Sequence, residues 1–284
     1  MRRPSYDYII REGEPVGTIQ GFKSLGFFSV DEFNYDATTG KYTLKYDAKA
    51  AGVATFGNYP SSILALAADG QIFPGAPKFE ADEKGEAKAQ AIGHTMPKHN
   101  GGFNINGRWK SIDFALGFTY QIGGDVYNAN AMHSVYGDKD TKFGLSRLSN
   151  ASSCFKFYDY DANGDIYLVT EPNALAALNA GTKHGTYYNE YGITSSEYIE
   201  DASFLRLNTL TVGYTLPKVW TKSVGISNFR VYFTAGNLFC ITGYSGLDPD
   251  VNTTAFTGGF PTPNYDYQAY PKARTFTFGA NIAF

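Results

Sequence analysis

The sequence has few cysteine, methionine, tryptophan, histidine and charged residues. Its 284 residues include 2 Cys, 3 Met, 2 Trp and 4 His, and the charged content of 18% lies below the usual quarter. No two glycines are separated by a single residue, which excludes the Gly-rich phosphate loops of dinucleotide-binding proteins and kinases. The four histidines, at positions 94, 99, 133 and 184, lack the spacing of zinc ligands. We therefore expect no catalytic residue and no enzyme activity.

Long runs of basic residues and long runs of aliphatic residues are also missing. The net charge is −3, and no basic run extends beyond Arg2-Arg3, so no stripe of cations is available to a nucleic acid. The longest aliphatic run, Ile63 to Ala68, is too short for a membrane-spanning helix. The N-terminus lacks the apolar core of a signal peptide. Either the protein is cytoplasmic, or its export signal lies outside this chain.

The two cysteines leave two interpretations open. Cys154 and Cys240 form a disulfide only in an oxidising compartment, and buried free thiols are the alternative.

Aromatic residues and glycine, by contrast, are abundant. The chain has 22 Tyr, 22 Phe and 31 Gly, a composition that favours strands joined by turns. Residues 111–122 alternate strictly between apolar and polar or small side chains over the length of a tilted membrane strand. The C-terminal residues 274–284 alternate in the same way. The apolar faces of these two segments include Ile112, Phe114, Leu116, Phe118, Phe276, Phe278, Ile282 and Phe284.

Three further segments alternate, so the sequence predicts about five long strands. They are residues 102–109, 209–217 and 228–239, and a change of apolar parity at Asn208 indicates a bulge or a strand that runs beyond its buried zone. The links near Lys110 and over 217–227 are short, whereas 124–201 and 240–270 are long. Short turns on one rim and long loops on the other are typical of an outer-membrane barrel.

The long loops contain small elements of their own. Residues 172–181 predict a short helix with Pro near its start and Gly after its end. Residues 158–170 predict a hairpin that turns at Asn163-Gly164. The oxygen-bearing residues Asp159, Asp161, Asn163 and Asp165 also match the opening of a calcium loop, but Thr170 occupies the position of its bidentate acid. A Ca²⁺ site and a solvated hairpin both remain open, and no other cofactor is expected.

Several long blocks resemble the SusC/RagA family of TonB-linked outer-membrane transporters of Bacteroidetes. They are EDASFLRLNTLTVGYTLP (200–217), FRVYFTAGNLFCITGYSGLDPDV (229–251) and YPKARTFTFGANIAF (270–284), preceded by GEPVGTIQGFKSLGFF (13–28) and PKHNGGFNINGRWKSIDFALGFTYQIGGDVYN (97–128). The blocks follow the family's order and cover most of the chain. KFEADEKGEAKAQ replaces an Asp/Gly-rich stretch that members often carry, which argues against a cation there.

The resemblance implies an all-β fold in which residues 1–284 form the C-terminal portion of the receptor, without its plug domain. About five to six antiparallel transmembrane strands would belong to a barrel of about 22, with long extracellular loops. The apolar side chains named above would face outer-membrane lipid, and Phe284 would close the barrel and serve as the assembly signal.

The implied function is import of a bulky nutrient, an oligosaccharide or a peptide. A SusD-like surface lipoprotein would act as a lid, and TonB-ExbB-ExbD would act through the missing N-terminal part. Two alternatives stay open. A secreted, soluble β-sandwich that binds glycans would bury its apolar face against a second sheet, and a secreted glycan-active enzyme would release sugar.

Overall fold

A computed structural model describes residues 8–56, 59–135, 153–186, 194–253, 263–267 and 269–284. These residues form two compact units. Unit 1 comprises the described residues between 8 and 94 and between 128 and 199, and unit 2 those between 95 and 127, between 200 and 253 and between 263 and 284. No helix in these ranges is both long enough and apolar enough to cross a membrane.

Strands dominate the described residues, and helices are short. The strands are β1 Tyr8–Ile9, β2 Thr18–Phe22, β3 Ser24–Phe27, β4 Phe33–Asp36, β5 Lys41–Leu44, β6 Val53–Ala54, β7 Pro77–Glu80, β8 Ala89–His94, β9 His99–Trp109, β10 Ile112–Ile122, β11 Asp125–Asn128, β12 Tyr158–Tyr160, β13 Ile166–Leu168, β14 Ile199–Asp201, β15 Phe204–Thr215, β16 Asn228–Thr242, β17 Tyr265–Asp266 and β18 Thr275–Ala283. The helices are α1 Ser61–Leu64, α2 Ala129–Val135, α3 Pro172–Leu178 and α4 Lys218–Thr221, with 3₁₀ turns at Val30–Glu32, Ser196–Tyr198 and Lys222–Val224.

Unit 2 is built on a five-stranded antiparallel sheet in the order β18-β16-β15-β10-β9. Its strands are 9 to 15 residues long. They correspond to the five alternating segments of the sequence, so the predicted antiparallel all-β class is confirmed. A smaller sheet has the order β14-β11-β17.

The short links lie at the same end of this sheet. Trp109 pairs with Ile112, and the hairpin between them turns at Lys110, whose φ of 53° is left-handed. Residues 216–227 join β15 to β16 through α4 and a 3₁₀ turn that ends at Gly225, with φ 74°. We call residues 108–111 and 216–227 the short-link end. The longer connections, residues 123–203 and 243–274, leave from the opposite end of the sheet.

A bulge interrupts β15 at Asn208. Gly117 of β10 pairs with Thr209, but its neighbour Phe118 pairs with Leu207, so Asn208 is skipped. Its side-chain amide donates to the Thr119 hydroxyl at 2.9 Å. Because Asn208 is skipped, Leu207 lies on the same face of the sheet as Phe118, although the alternation of the sequence changes there. Of the two explanations for the parity change, the bulge is the one observed.

Aromatic side chains cover a glycine on each edge strand of the sheet. The ring of Phe114 lies over Gly107 of β9, where an added Cβ would come within 2.4 Å of it. The ring of Tyr232 covers Gly279 of β18 in the same way, also at 2.4 Å. Each ring fills the space that a glycine leaves beside it, a pairing that stabilises strands containing glycine.

Unit 1 has an aromatic core contributed by distant segments. Phe28, Phe33, Tyr42 and Phe73 come from its first part, and Phe155 and Phe157 come from the long connection between β10 and β15. Their rings meet edge-on or tilted, for example Phe73 and Phe157 at 5.9 Å. Leu175 of the predicted helix α3 joins this core. The described part of the long connection is therefore folded onto a core rather than extended.

The β12–β13 hairpin also forms as predicted. Tyr158 pairs with Leu168 and Tyr160 with Ile166. Gly164, in the turn, has φ 87°, a conformation that favours glycine.

Candidate functional site

One face of the five-stranded sheet is apolar from edge to edge. Pairing aligns Phe114, Val212, Phe233 and Phe278 in a single row across four strands. The next rows place Leu116 beside Ile105 and Leu210, and Phe118 beside Phe103 and Leu207. The rings of Phe103 and Phe118 stack at 4.8 Å, and those of Phe233 and Phe278 lie 4.9 Å apart. The face is thus a continuous hydrophobic surface rather than scattered apolar residues.

Much of this apolar face is exposed. Phe114 is 38% exposed and Phe278 is 80% exposed, and Ile105, Trp109, Val212 and Phe276 are exposed as well. Among the described residues, no second sheet covers these side chains, which is what a β-sandwich would require. A water-soluble domain rarely leaves so extended a hydrophobic surface uncovered.

The structure brings the predicted wall residues onto that one face. Ile112, Phe114, Leu116 and Phe118 of β10 share it with Phe276, Phe278 and Ile282 of β18, because intervening strands keep the parity in register. Phe284 follows the end of β18 and is exposed. Contact of these side chains with lipid, and the assembly role of Phe284, stay predictions.

The opposite face is polar and internally bonded. Arg230 of β16 reaches across β15 to Asp113 of β10, donating from Nε at 2.9 Å and from a terminal nitrogen at 2.5 Å. It passes over Gly213, where an added Cβ would come within 2.2 Å of the guanidinium. Thr211 and Thr234 share a hydroxyl hydrogen bond of 3.0 Å on the same face. Two faces of opposite character therefore follow from the period of the strand.

A buried ion pair, not foreseen from the sequence, anchors residues 243–253. Arg206 of β15 donates to Asp248 at 2.5 Å and to the Asn237 side chain at 2.9 Å. The two charged side chains are only 4% and 6% exposed. Asn237, at φ 51°, also donates to the Lys272 carbonyl at 2.9 Å. The one signal in the sequence was an arginine on a strand beside the parity change.

Neighbouring contacts hold the same segment. The Tyr244 hydroxyl donates to Asp266 at 2.6 Å, and both residues are buried. Burial, together with the Asp266 carboxylate, raises the pKa of Tyr244 far above its usual range. The Ser245 hydroxyl donates to Glu200 at 2.7 Å. The segment is thus fixed at several points rather than left as a free loop.

The calcium candidates occupy the exposed turn of the β12–β13 hairpin. Asp161 accepts backbone hydrogen bonds from Asn163 at 2.8 Å and Asp165 at 2.9 Å, and Asp159 accepts one from Tyr160 at 2.8 Å. The backbone bonds lower the pKa of Asp161. Within the described ranges, no three Asp, Glu, His or Cys side chains converge as metal ligands. A Ca²⁺ site here stays a prediction.

The cysteines and histidines belong to several different segments of the chain, and Cys154 forms an isolated β-bridge with His184. No disulfide joins Cys154 and Cys240. His94 shares a 3.1 Å hydrogen bond with Thr18, and His184 contacts Glu197. The side chain of His133 lies outside the described residues.

Comparison with known proteins gives consistent relatives, although no family model matches the chain. TonB-dependent receptor P3 of Formosa agariphila is 27% identical over 282 residues, 97% of this chain and 23% of the receptor. TonB-dependent receptor P39 of the same organism is 25% identical over 98% of this chain and 26% of the receptor. TonB-dependent receptor SusC of Bacteroides thetaiotaomicron is 30% identical over 57% of this chain and 15% of the receptor. The chain thus spans about a quarter or less of the length of these relatives.

Solved structures agree on the fold. The RagAB peptide importer in its closed-closed state matches 100% of this chain and 25% of its own, with a TM-score of 0.57 and 20% identity. A further structure of the RagAB peptide transporter matches 98% of this chain and 24% of its own, with a TM-score of 0.54. In sequence and in fold, the chain is therefore similar to SusC/RagA-type TonB-dependent receptors, as its sequence blocks indicate.

Proposed function

We propose that this chain supplies part of the barrel wall and of the loops of an outer-membrane TonB-dependent transporter that imports a nutrient. The exposed apolar face carries the proposal, because it has the extent and strand length of a lipid-facing surface. The opposite, polar face would line the lumen. An open sheet in lipid leaves backbone groups unpaired, so β9 and β18 would pair with further strands of a barrel of about 22.

The chain's own residues would act as wall and mouth, and none would be catalytic. Ile112, Phe114, Leu116 and Phe118, with the apolar side chains of β18, would contact lipid. The long connections that leave the far end of the sheet would face the cell exterior. Phe284 would serve in barrel closure and assembly, as the resemblance implies.

The transported nutrient would be an oligosaccharide or a peptide. Similarity to the RagAB peptide importer supports the peptide class, and the resemblance of the sequence blocks implies both classes. Partners would be a SusD-like surface lipoprotein and, through a part of the receptor outside this chain, TonB-ExbB-ExbD.

Deletion of the receptor gene tests the function. We expect the deletion strain to lose growth on one class of oligosaccharide or peptide and to regain it with the complete receptor. A receptor with Leu116→Arg should restore growth poorly, whereas Ala115→Arg, on the polar face, should restore it better. Unchanged growth of the deletion strain on every nutrient of both classes would contradict the proposal.

Affinity purification tests the lipoprotein. The tagged complete receptor, extracted in mild detergent, should retain a surface lipoprotein in near-equal amount. A receptor that is folded and active in uptake yet purifies alone would argue against that partner while leaving the import function intact.

A further inference from the structure

The short-link end exposes large apolar side chains where a water-soluble turn would be polar. Val219 is 85% exposed and Trp220 64% exposed, and Val224 and Trp109 are also exposed. Trp109 and Trp220 are the 2 tryptophans of the whole sequence, and both lie at this end of the sheet. Tryptophan is enriched where a protein passes from lipid to water, because the indole is apolar but donates one hydrogen bond.

The charged side chains of the two short links are all basic. Arg108, Lys110, Lys218 and Lys222 are exposed, and neither 108–111 nor 216–227 contains an acidic residue. The Lys110 ammonium lies 4.8 Å from the centre of the Trp109 ring, so cation and aromatic side chain share one location. The acidic side chain next along β10, Asp113, is already engaged by Arg230.

These two properties together identify a ligand chemistry. Exposed apolar side chains alone would suit any hydrophobic surface, and cations alone would suit any anion. Exposed indole and valine side chains beside three lysines match a bilayer interface, where acyl chains end and phosphates begin. The position in the sheet is consistent with such an interface, because β9 and β15 end here and β10 and β16 begin here.

We propose that the short-link end binds the headgroups of anionic phospholipids in the leaflet that it contacts. Trp109, Val219 and Trp220 enter the interface, and Lys110, Lys218 and Lys222 contact lipid phosphates. This inference rests on the proposed function, because it requires the sheet to span a membrane. It adds a lipid preference, which a generic barrel wall does not have.

The test uses the complete receptor in nanodiscs of mixed phosphatidylcholine and phosphatidylglycerol. Native mass spectrometry counts the lipids that stay bound when the receptor is released from the nanodisc. The wild type is compared with the combined variant Lys110→Gln, Lys218→Gln, Lys222→Gln. At low salt, enrichment of phosphatidylglycerol should fall by about fivefold for each lysine removed. In the wild type, without any mutation, enrichment of phosphatidylglycerol should also fall as the salt concentration rises.

Control variants and folding assays separate the outcomes. Lys41→Gln, Lys84→Gln and Lys183→Gln together remove three exposed charges from unit 1 and should leave the enrichment unchanged. If the wild type does not fold in membranes, as judged by heat-modifiable migration, the proposed function fails and this inference with it. If it folds but the short-link variant keeps wild-type enrichment, the inference alone is overturned, as it would be if these links bound a protein instead.

Discussion

At the scale of single residues, the buried pair of Arg206 and Asp248 determines where residues 243–253 lie. The two charges are largely excluded from water and joined at 2.5 Å. Loss of one partner leaves the other charge buried and uncompensated, which costs far more than loss of a surface pair. The segment before Asp248 is additionally held through Tyr244 and Ser245.

Two aspartates that are two residues apart give a matched comparison. Asp248→Asn in the complete receptor should destabilise the fold by about 3–5 kcal/mol. Asp250→Asn removes only an exposed pair with Lys272 and should cost about 1 kcal/mol or less. Thermal unfolding followed by heat-modifiable migration measures both. Equal unfolding midpoints for the two variants would show that the buried pair stabilises the fold no more than the exposed pair.

The two thiols make a second prediction at this scale. Burial, with a contribution from Glu197, raises the pKa of Cys154 to about 11, so at pH 8 only about one molecule in a thousand carries its thiolate. Folded protein should therefore react slowly with iodoacetamide at Cys154 and rapidly after unfolding. Intact mass should be the same with and without reductant, because no disulfide joins Cys154 and Cys240. A mass lower by two hydrogens without reductant would contradict this.

At the scale of elements, adjacent residues of β10 point to opposite faces of the sheet. Leu116 lies on the apolar face beside Ile105 and Leu210, and Ala115 lies on the polar face beside Asn106 and Thr211. Under the proposed function, Leu116→Arg should destabilise the complete receptor by about 2–4 kcal/mol if the position is near the bilayer midplane. Ala115→Arg, which enters the lumen, should cost clearly less.

Outer-membrane fractionation with heat-modifiable migration distinguishes the two variants. We expect the folded fraction to fall for Leu116→Arg and to stay near that of the wild type for Ala115→Arg. Equal tolerance of arginine at both positions would indicate that the apolar face is not in lipid.

The long strands and their two faces could be predicted because period-two alternation is a local signal. The same holds for the hairpin at Lys110, helix α3 and the turn at Gly164, each set by neighbouring residues. The Asn208 bulge was one of two explanations, and only the cross-strand register decided between them. Arg206 and Asp248 are 42 residues apart, and no periodicity connects them. The core of unit 1 could not be predicted either, because Phe73, Phe155 and Phe157 belong to irregular segments.

At the scale of the whole molecule, the described residues form two compact units. Unit 2 carries the apolar and polar faces, and unit 1 has an aromatic core of its own. Under the proposed function, one face of the sheet meets lipid and the other does not.

Spin-label accessibility tests that claim most directly. In a complete receptor without Cys154 and Cys240, single labels are placed at Phe114, Val212 or Phe233, which form one row of the apolar face. Matched labels at Ala115, Thr211 or Thr234 form a row of the polar face. In outer membranes, the apolar row should collide preferentially with oxygen, which dissolves in lipid, and the polar row with a water-soluble nickel complex. The same ratio of the two accessibilities in both rows would contradict the account.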